Sequence, residues 1–88
     1  MRMAVNVRVE DYETWREGFD GDKENRDKHG IKNTQVYLNA DDENDVTVVG
    51  EVDDVGKVAA ALRSPDYRQR MKDHGVQGEP KIFKAEPV

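Results

Sequence analysis

Val46, Val48, Val49 and Val52 fall within seven residues, and Asp53-Asp54 and a helical pattern follow at once. β-branched residues at this density mark a strand. The acidic pair caps the helix that Val55, Val58, Ala59 and Leu62 begin, a stripe at helical spacing. One strand therefore feeds one helix, and the first half of the chain repeats the arrangement. Met3, Val5, Val7 and Val9 alternate with Ala4, Asn6, Arg8 and Glu10, a period-two strand. Asp11 caps a helix on which Tyr12, Trp15 and Phe19 share a stripe, weakened by Gly18 and Gly21. The stretch from Asp22 to His29 has no apolar residue. If helical, it is expected to be exposed or to line a polar opening.

His29-Gly30 reads as a helix stop, with an imidazole near the last carbonyls and glycine for the left-handed turn. His74-Gly75 repeats it at the end of a segment that Ser64 caps and Pro65 opens. Tyr67, Met71 and His74 share one stripe of that segment. Thr34 to Ala40 is predicted as the second strand, with Val36 and Leu38 on one face and Gln35, Tyr37 and Asn39 on the other. Asp41 to Asp45 is expected to be a polar hairpin connection, and Lys81 to Ala85 the last strand, after a turn at Gly78, Glu79 and Pro80. Two strand–helix–strand units in tandem predict an α+β, ferredoxin-like β-α-β-β-α-β sandwich over a four-stranded antiparallel sheet.

That fold covers one sheet face with helices. The other face is expected to carry Ala4, Asn6, Arg8, Tyr37, Asn39, Thr47, Val49, Glu51 and Phe83. Scattered exposed apolar residues are ordinary. Tyr37, Val49 and Phe83 together favour a second copy packed sheet to sheet, with Tyr37, Asn39, Val49 and Phe83 at the interface. The 88 residues fit one domain, which at this size is marginal alone and gains from oligomerising.

The net charge of −5, with both signs interspersed, argues against a nucleic-acid-binding role. The sequence contains no cysteine, so disulfides and thiolate metal sites are excluded and a cytoplasmic setting is favoured. There is no apolar leader after Arg2 and no run of apolar residues long enough for a membrane span.

Val9-Glu10-Asp11-Tyr12-Glu13-Thr14-Trp15, Val36 to Asp42, Val48 to Asp53, and Ser64-Pro65 running to Met71 before Gly75-Val76 together resemble the dimeric α+β barrel superfamily, which includes the antibiotic-biosynthesis-monooxygenase-like proteins. The resemblance implies a homodimer, a small-molecule pocket between sheet and helices, and in some members cofactor-independent oxidation of phenolic or quinol-like substrates.

Trp15, Phe19, Tyr67 and Met71 are the candidate pocket walls, although stripes at this spacing are also plain core. His74 is the candidate acid–base residue, because an imidazole suits proton abstraction from a phenol. Its structural alternative is a helix-end histidine interacting with the dipole. Asp41 to Asp45 lacks the glycine and the closing glutamate of a calcium loop. No metal or cofactor is expected. The functional expectation is a homodimeric small-molecule-binding protein, with a small aromatic compound as the candidate ligand. The alternatives are a cofactor-independent monooxygenase-like or cyclase-like enzyme acting on an aromatic substrate, and a structural interaction module.

Overall fold

A computed structural model describes residues 1–86 and 88. The elements run β1 (Arg2–Val9), α1 (Tyr12–Gly21), α2 (Lys23–Lys28), β2 (Ile31–Asn39), β3 (Asp42–Val52), α3 (Val55–Leu62), α4 (Pro65–Asp73) and β4 (Val76–Ala85). The sheet order is β2-β3-β1-β4, and every neighbouring pair is antiparallel. This is the ferredoxin-like α+β sandwich, with each helical layer element broken in two.

The caps form where the sequence places them. Asp11 accepts from the Thr14 backbone N–H, Asp54 from that of Lys57, and Ser64 from that of Tyr67. Each carboxylate or hydroxyl satisfies one of the N–H groups a helix start leaves unpaired. His29 and His74 stand at the helix ends, and Gly30 and Gly75 follow with φ of 79° and 86°. The His29 ring lies 2.8 Å from the Asn25 carbonyl.

Two buried clusters fill the space between sheet and helices. One joins Val7, Val9, Val46 and Val76 to Trp15; the other joins Met3 and Val52 to Val58 and Leu62. Strand register explains the pairing, since Val7 lies opposite Val46 and Val5 opposite Val48 on the helix-covered face.

The strands are longer than the sequence reading has them, for one shared reason. Each extension contains an irregularity that local sequence presents as a loop. In β2, Asn33 and Thr34 together oppose Gly50, and Asn33 takes a φ of 51°. In β4, the register slips between Gln77 and Lys81, so Gly78, Glu79 and Pro80 form a bulge instead of a turn. Gly78, at φ 70°, supplies the backbone freedom that the bulge requires. The predicted connection Asp41 to Asp45 likewise belongs to β3 from Asp42 onward.

On the far sheet face, Ala4 lies between Val49 and Phe83 in register and is only 2% exposed, so it is already buried there, contrary to the expectation of a wet position. Its small side chain sits in the shadow of the two larger ones. Tyr37 and Phe83 are 54% and 52% exposed. No helix among the described residues is long and apolar enough to cross a membrane.

Candidate functional site

Between the helices and the covered face of the sheet lies a cavity of about 100 Å³. Its floor is strand β1 and the middle of β3, where Gly50 presents no side chain. A Cβ at Gly50 would approach the Ile31 and Thr34 methyl carbons to 3.2 Å, so the missing side chain lets the bulged end of β2 lean in.

Trp15, Phe19, Tyr67, Met71 and His74 all line this cavity. Trp15 and Phe19 stack with centroids 5.0 Å apart, one helical turn from each other on α1. Trp15 is also buried core, at 6% exposure, so it packs the interior as well as lining the cavity. Tyr67 and Met71 stand one turn apart on α4 and are half-buried.

His74 caps α4, and its ring is pressed against α1 at Gly18. The Glu10 N–H donates to the Gly75 carbonyl at 2.9 Å, which ties the end of α4 to the end of β1. His29, on the companion helix end, meets the Tyr67 ring edge-on at 6.3 Å.

Arg26 is the residue that the hydrophobic pattern passes over. Of the two expectations for Asp22 to His29, exposure or the lining of a polar opening, the second describes Asp22 and Arg26, which line the cavity, but Arg26 is also only 8% exposed. Its guanidinium carbon lies 3.7 Å from the Phe19 ring centroid, and its Nη1 donates to the Phe19 carbonyl. The aliphatic stem and the flat cation thus occupy a position that an apolar side chain would otherwise fill. A signal was present: Trp15, Phe19, Asp22 and Arg26 continue one stripe at steps of four, three and four.

Asp22 lines the cavity beside Arg26 and pairs with Arg70 of α4 at 2.8 Å, joining the α1–α2 segment to α4. Burial holds the Tyr67 phenol above its ordinary pKa, and the Asp22 carboxylate adds to the shift. The phenol therefore remains a neutral hydroxyl through the physiological range. Burial lowers the pKa of Arg26, against the favourable fields of Tyr67 and of Asp22, Asp20 and Asp27. Arginine nevertheless stays a cation at neutral pH. Among the described residues, no group of three or more His, Cys, Asp or Glu side chains converges as a metal site.

The predicted interface residues lie elsewhere. Tyr37, Val49 and Phe83 belong to the far face, where Tyr37 donates to Gln35 at 2.6 Å. Asn39, near the hairpin end, donates to Asp45 at 3.0 Å, and Asn6 donates to the same carboxylate at 2.7 Å.

An α+β sandwich with a mostly apolar cavity under a broken helical layer, edged by two arginines and an aspartate, is the class that the fold and site define. Comparison with solved structures gives that class its neighbours. A proposed antibiotic biosynthesis monooxygenase from Bordetella bronchiseptica matches with a TM-score of 0.79 at 12% identity, covering 99% of this chain and 95% of the other. SnoaB, a cofactor-independent oxygenase from Streptomyces nogalater, matches with a TM-score of 0.69 at 13% identity, over 99% and 93% of the two chains. A proposed antibiotic biosynthesis monooxygenase from Nitrosomonas europaea matches with a TM-score of 0.66 at 16% identity, over 99% and 97%. The fold is therefore that of the antibiotic-biosynthesis-monooxygenase-like α+β proteins, and at such identities the likeness concerns the fold. No protein-family model matches the chain, and no curated protein matches its sequence.

Proposed function

We propose that this protein binds a small organic molecule in the cavity between sheet and helices, and that it does so as a homodimer joined across the far sheet face. The observation that carries the binding reading is the convergence of Trp15, Phe19, Tyr67, Met71 and His74, from two helices distant in sequence, on one cavity. Its volume of about 100 Å³ sets the scale. Cavities of ~150 Å³ with apolar walls admit a single benzene ring. The smaller volume here holds a short chain or part of one ring, and a whole ring extends through the cavity mouth into solvent.

Trp15 is the only tryptophan, so its fluorescence reports on occupancy directly. Titration with a panel of single-ring aromatics is expected to quench or shift that emission in a saturable way. Enlarging Val48 to Phe fills the cavity while Trp15 stays the only tryptophan, and loss of saturation in a folded Val48→Phe variant is the result expected if the ligand sits there. A panel without any saturable response removes the reading.

A second reading, a cofactor-independent oxygenase, is supported by the position of His74 on the cavity wall and by the fold shared with SnoaB. In that reading His74 takes a phenolic proton, a ring carbon of the phenolate bonds to O2, the peroxide so formed takes the proton back, and loss of water with that carbon's hydrogen leaves a carbonyl there. It predicts oxygen uptake with a quinol substrate that His74→Ala abolishes while substrate still binds. Binding without oxygen uptake across such a panel leaves only the first reading.

A further inference from the structure

The cations of α1 and α2, and Arg70 of α4 beside them, are not equivalent. Arg16 pairs with Asp20 at 3.1 Å, Lys23 with Asp27 at 2.9 Å, and Arg70 with Asp22 at 2.8 Å. These are the same three carboxylates whose fields reach Arg26. Each is engaged by another cation, and among the described residues no carboxylate forms an ion pair with Arg26 itself. Yet Arg26 is the most buried of the four. A guanidinium carries five N–H donors. Its one hydrogen bond among the described residues is that from Nη1 to the Phe19 carbonyl.

Those idle donors are not sealed into the core. No buried side-chain nitrogen or oxygen among the described residues lacks a partner. The part of the guanidinium that makes no bond therefore keeps some accessible surface, and Arg26 is among the residues that line the cavity. A cation so largely withdrawn from water, with no ion pair of its own, gains from an anion that can reach its accessible edge. The Tyr67 hydroxyl, held neutral by burial, adds a further donor on the same cavity wall.

We infer that Arg26 is an anion-recognition residue, and that the ligand of this cavity is a small organic anion: an apolar ring or short chain ending in a carboxylate or a comparable oxyanion. The ring lies against Trp15, Phe19 and Met71, and the anionic end meets the free edge of the Arg26 guanidinium. Two parallel N–H···O bonds suit a planar carboxylate and a planar guanidinium. The Phe19 ring and carbonyl fix the guanidinium in advance, so little freedom is lost when the anion docks.

The inference rests on the binding reading above, and a pair of near-isosteric probes tests them separately. Benzoate and its neutral counterpart benzamide are titrated into the wild-type protein and followed by Trp15 fluorescence. Benzoate is expected to bind more tightly by about tenfold, the scale of one charge-assisted contact. In Arg26→Met the ratio of the two affinities is expected to fall to about one, whatever the change in benzamide binding, and Arg26→Lys is expected to keep part of the preference. Circular dichroism establishes that each variant is folded. If Arg26→Met does not fold, the wild-type pair and Arg26→Lys decide. Equal affinity of the wild type for both probes overturns the anion assignment and leaves cavity binding intact. A preference for benzoate that survives in Arg26→Met also overturns it. Absence of any response to either compound overturns cavity binding, and the anion assignment with it.

Discussion

The imidazole of His74 occupies the space that a side chain on Gly18 would need. A Cβ built at Gly18 would lie 2.2 Å from Nδ1 and 2.6 Å from Cγ of His74. A glycine that weakens α1 by propensity is thus the condition for seating the end of α4 against it. The clash reaches Cγ, close to the backbone, so the ring cannot simply swing aside.

Gly18→Ala is therefore expected to invert the usual helix rule. In an open helix this change stabilises by about 1 kcal/mol. Here overpacking is expected to destabilise by about 1–3 kcal/mol. In the His74→Ala background the same substitution is expected to be neutral or stabilising. Urea unfolding of the four proteins gives the coupling directly. If Gly18→Ala stabilises both backgrounds equally, the packing between these two residues is not what holds the helices together.

The far sheet face makes the second prediction. Phe83 and Tyr37 are more than half exposed on one copy, and Ala4, beside Phe83 in register, is already buried. Burying a side chain such as Phe is worth about 1.5–3 kcal/mol. Light scattering at micromolar concentration is expected to give about twice the chain mass of 10.1 kDa. Phe83→Asp is expected to return the mass to that of one chain and to lower the denaturation midpoint. A wild-type particle at the single-chain mass rules the sheet-to-sheet pairing out.

Three surface carboxylates govern the acid limb. Hydrogen bonds hold each below the usual aspartate range: from Thr14 to Asp11, from Arg8 to Asp42, and from Asn39 and Asn6 to Asp45. Each therefore contributes stability above the unfolded-state value near 3.9 and loses it as pH falls through the lower folded value. The urea midpoint is expected to hold steady down to about pH 5 and then to fall. Asp45→Asn is expected to make that fall shallower, because the amide keeps an acceptor but does not titrate. An unchanged slope in Asp45→Asn removes Asp45 from the account.

Much of this site is legible in the chain because its walls repeat at helical spacing. Trp15 and Phe19 on one helix, and Tyr67, Met71 and His74 on another, face the same layer and meet there. Arg26 is not legible that way, because hydrophobic periodicity counts a charged residue as solvent even where its stem is core. The stripe it continues is visible only if side chains are followed by position and not by polarity. Strand ends fail for a different reason. Asn33 and Gly78 carry turn chemistry, and whether such residues bend a loop or bulge a strand depends on a partner strand far away in sequence.

Tyr67 sets the alkaline limb. Burial first, and the Asp22 carboxylate second, raise its phenol above the ordinary value, with Arg26 and Arg70 opposing. The unfolded chain therefore ionises this phenol at about pH 10 while the folded chain still holds its proton. Stability from Tyr67 is complete below that value and falls as pH rises towards the folded one. Absorbance at the phenolate band is expected to show one of the three tyrosines titrating later than the others, and Tyr67→Phe is expected to delete that late step. The same substitution should flatten the loss of urea resistance above about pH 10. Arg26→Met removes a charge that favours the phenolate, so it is expected to move the late step higher still. If the late step moves lower in Arg26→Met, the guanidinium does not act on Tyr67 across the cavity, and the two groups do not share the ligand's polar end.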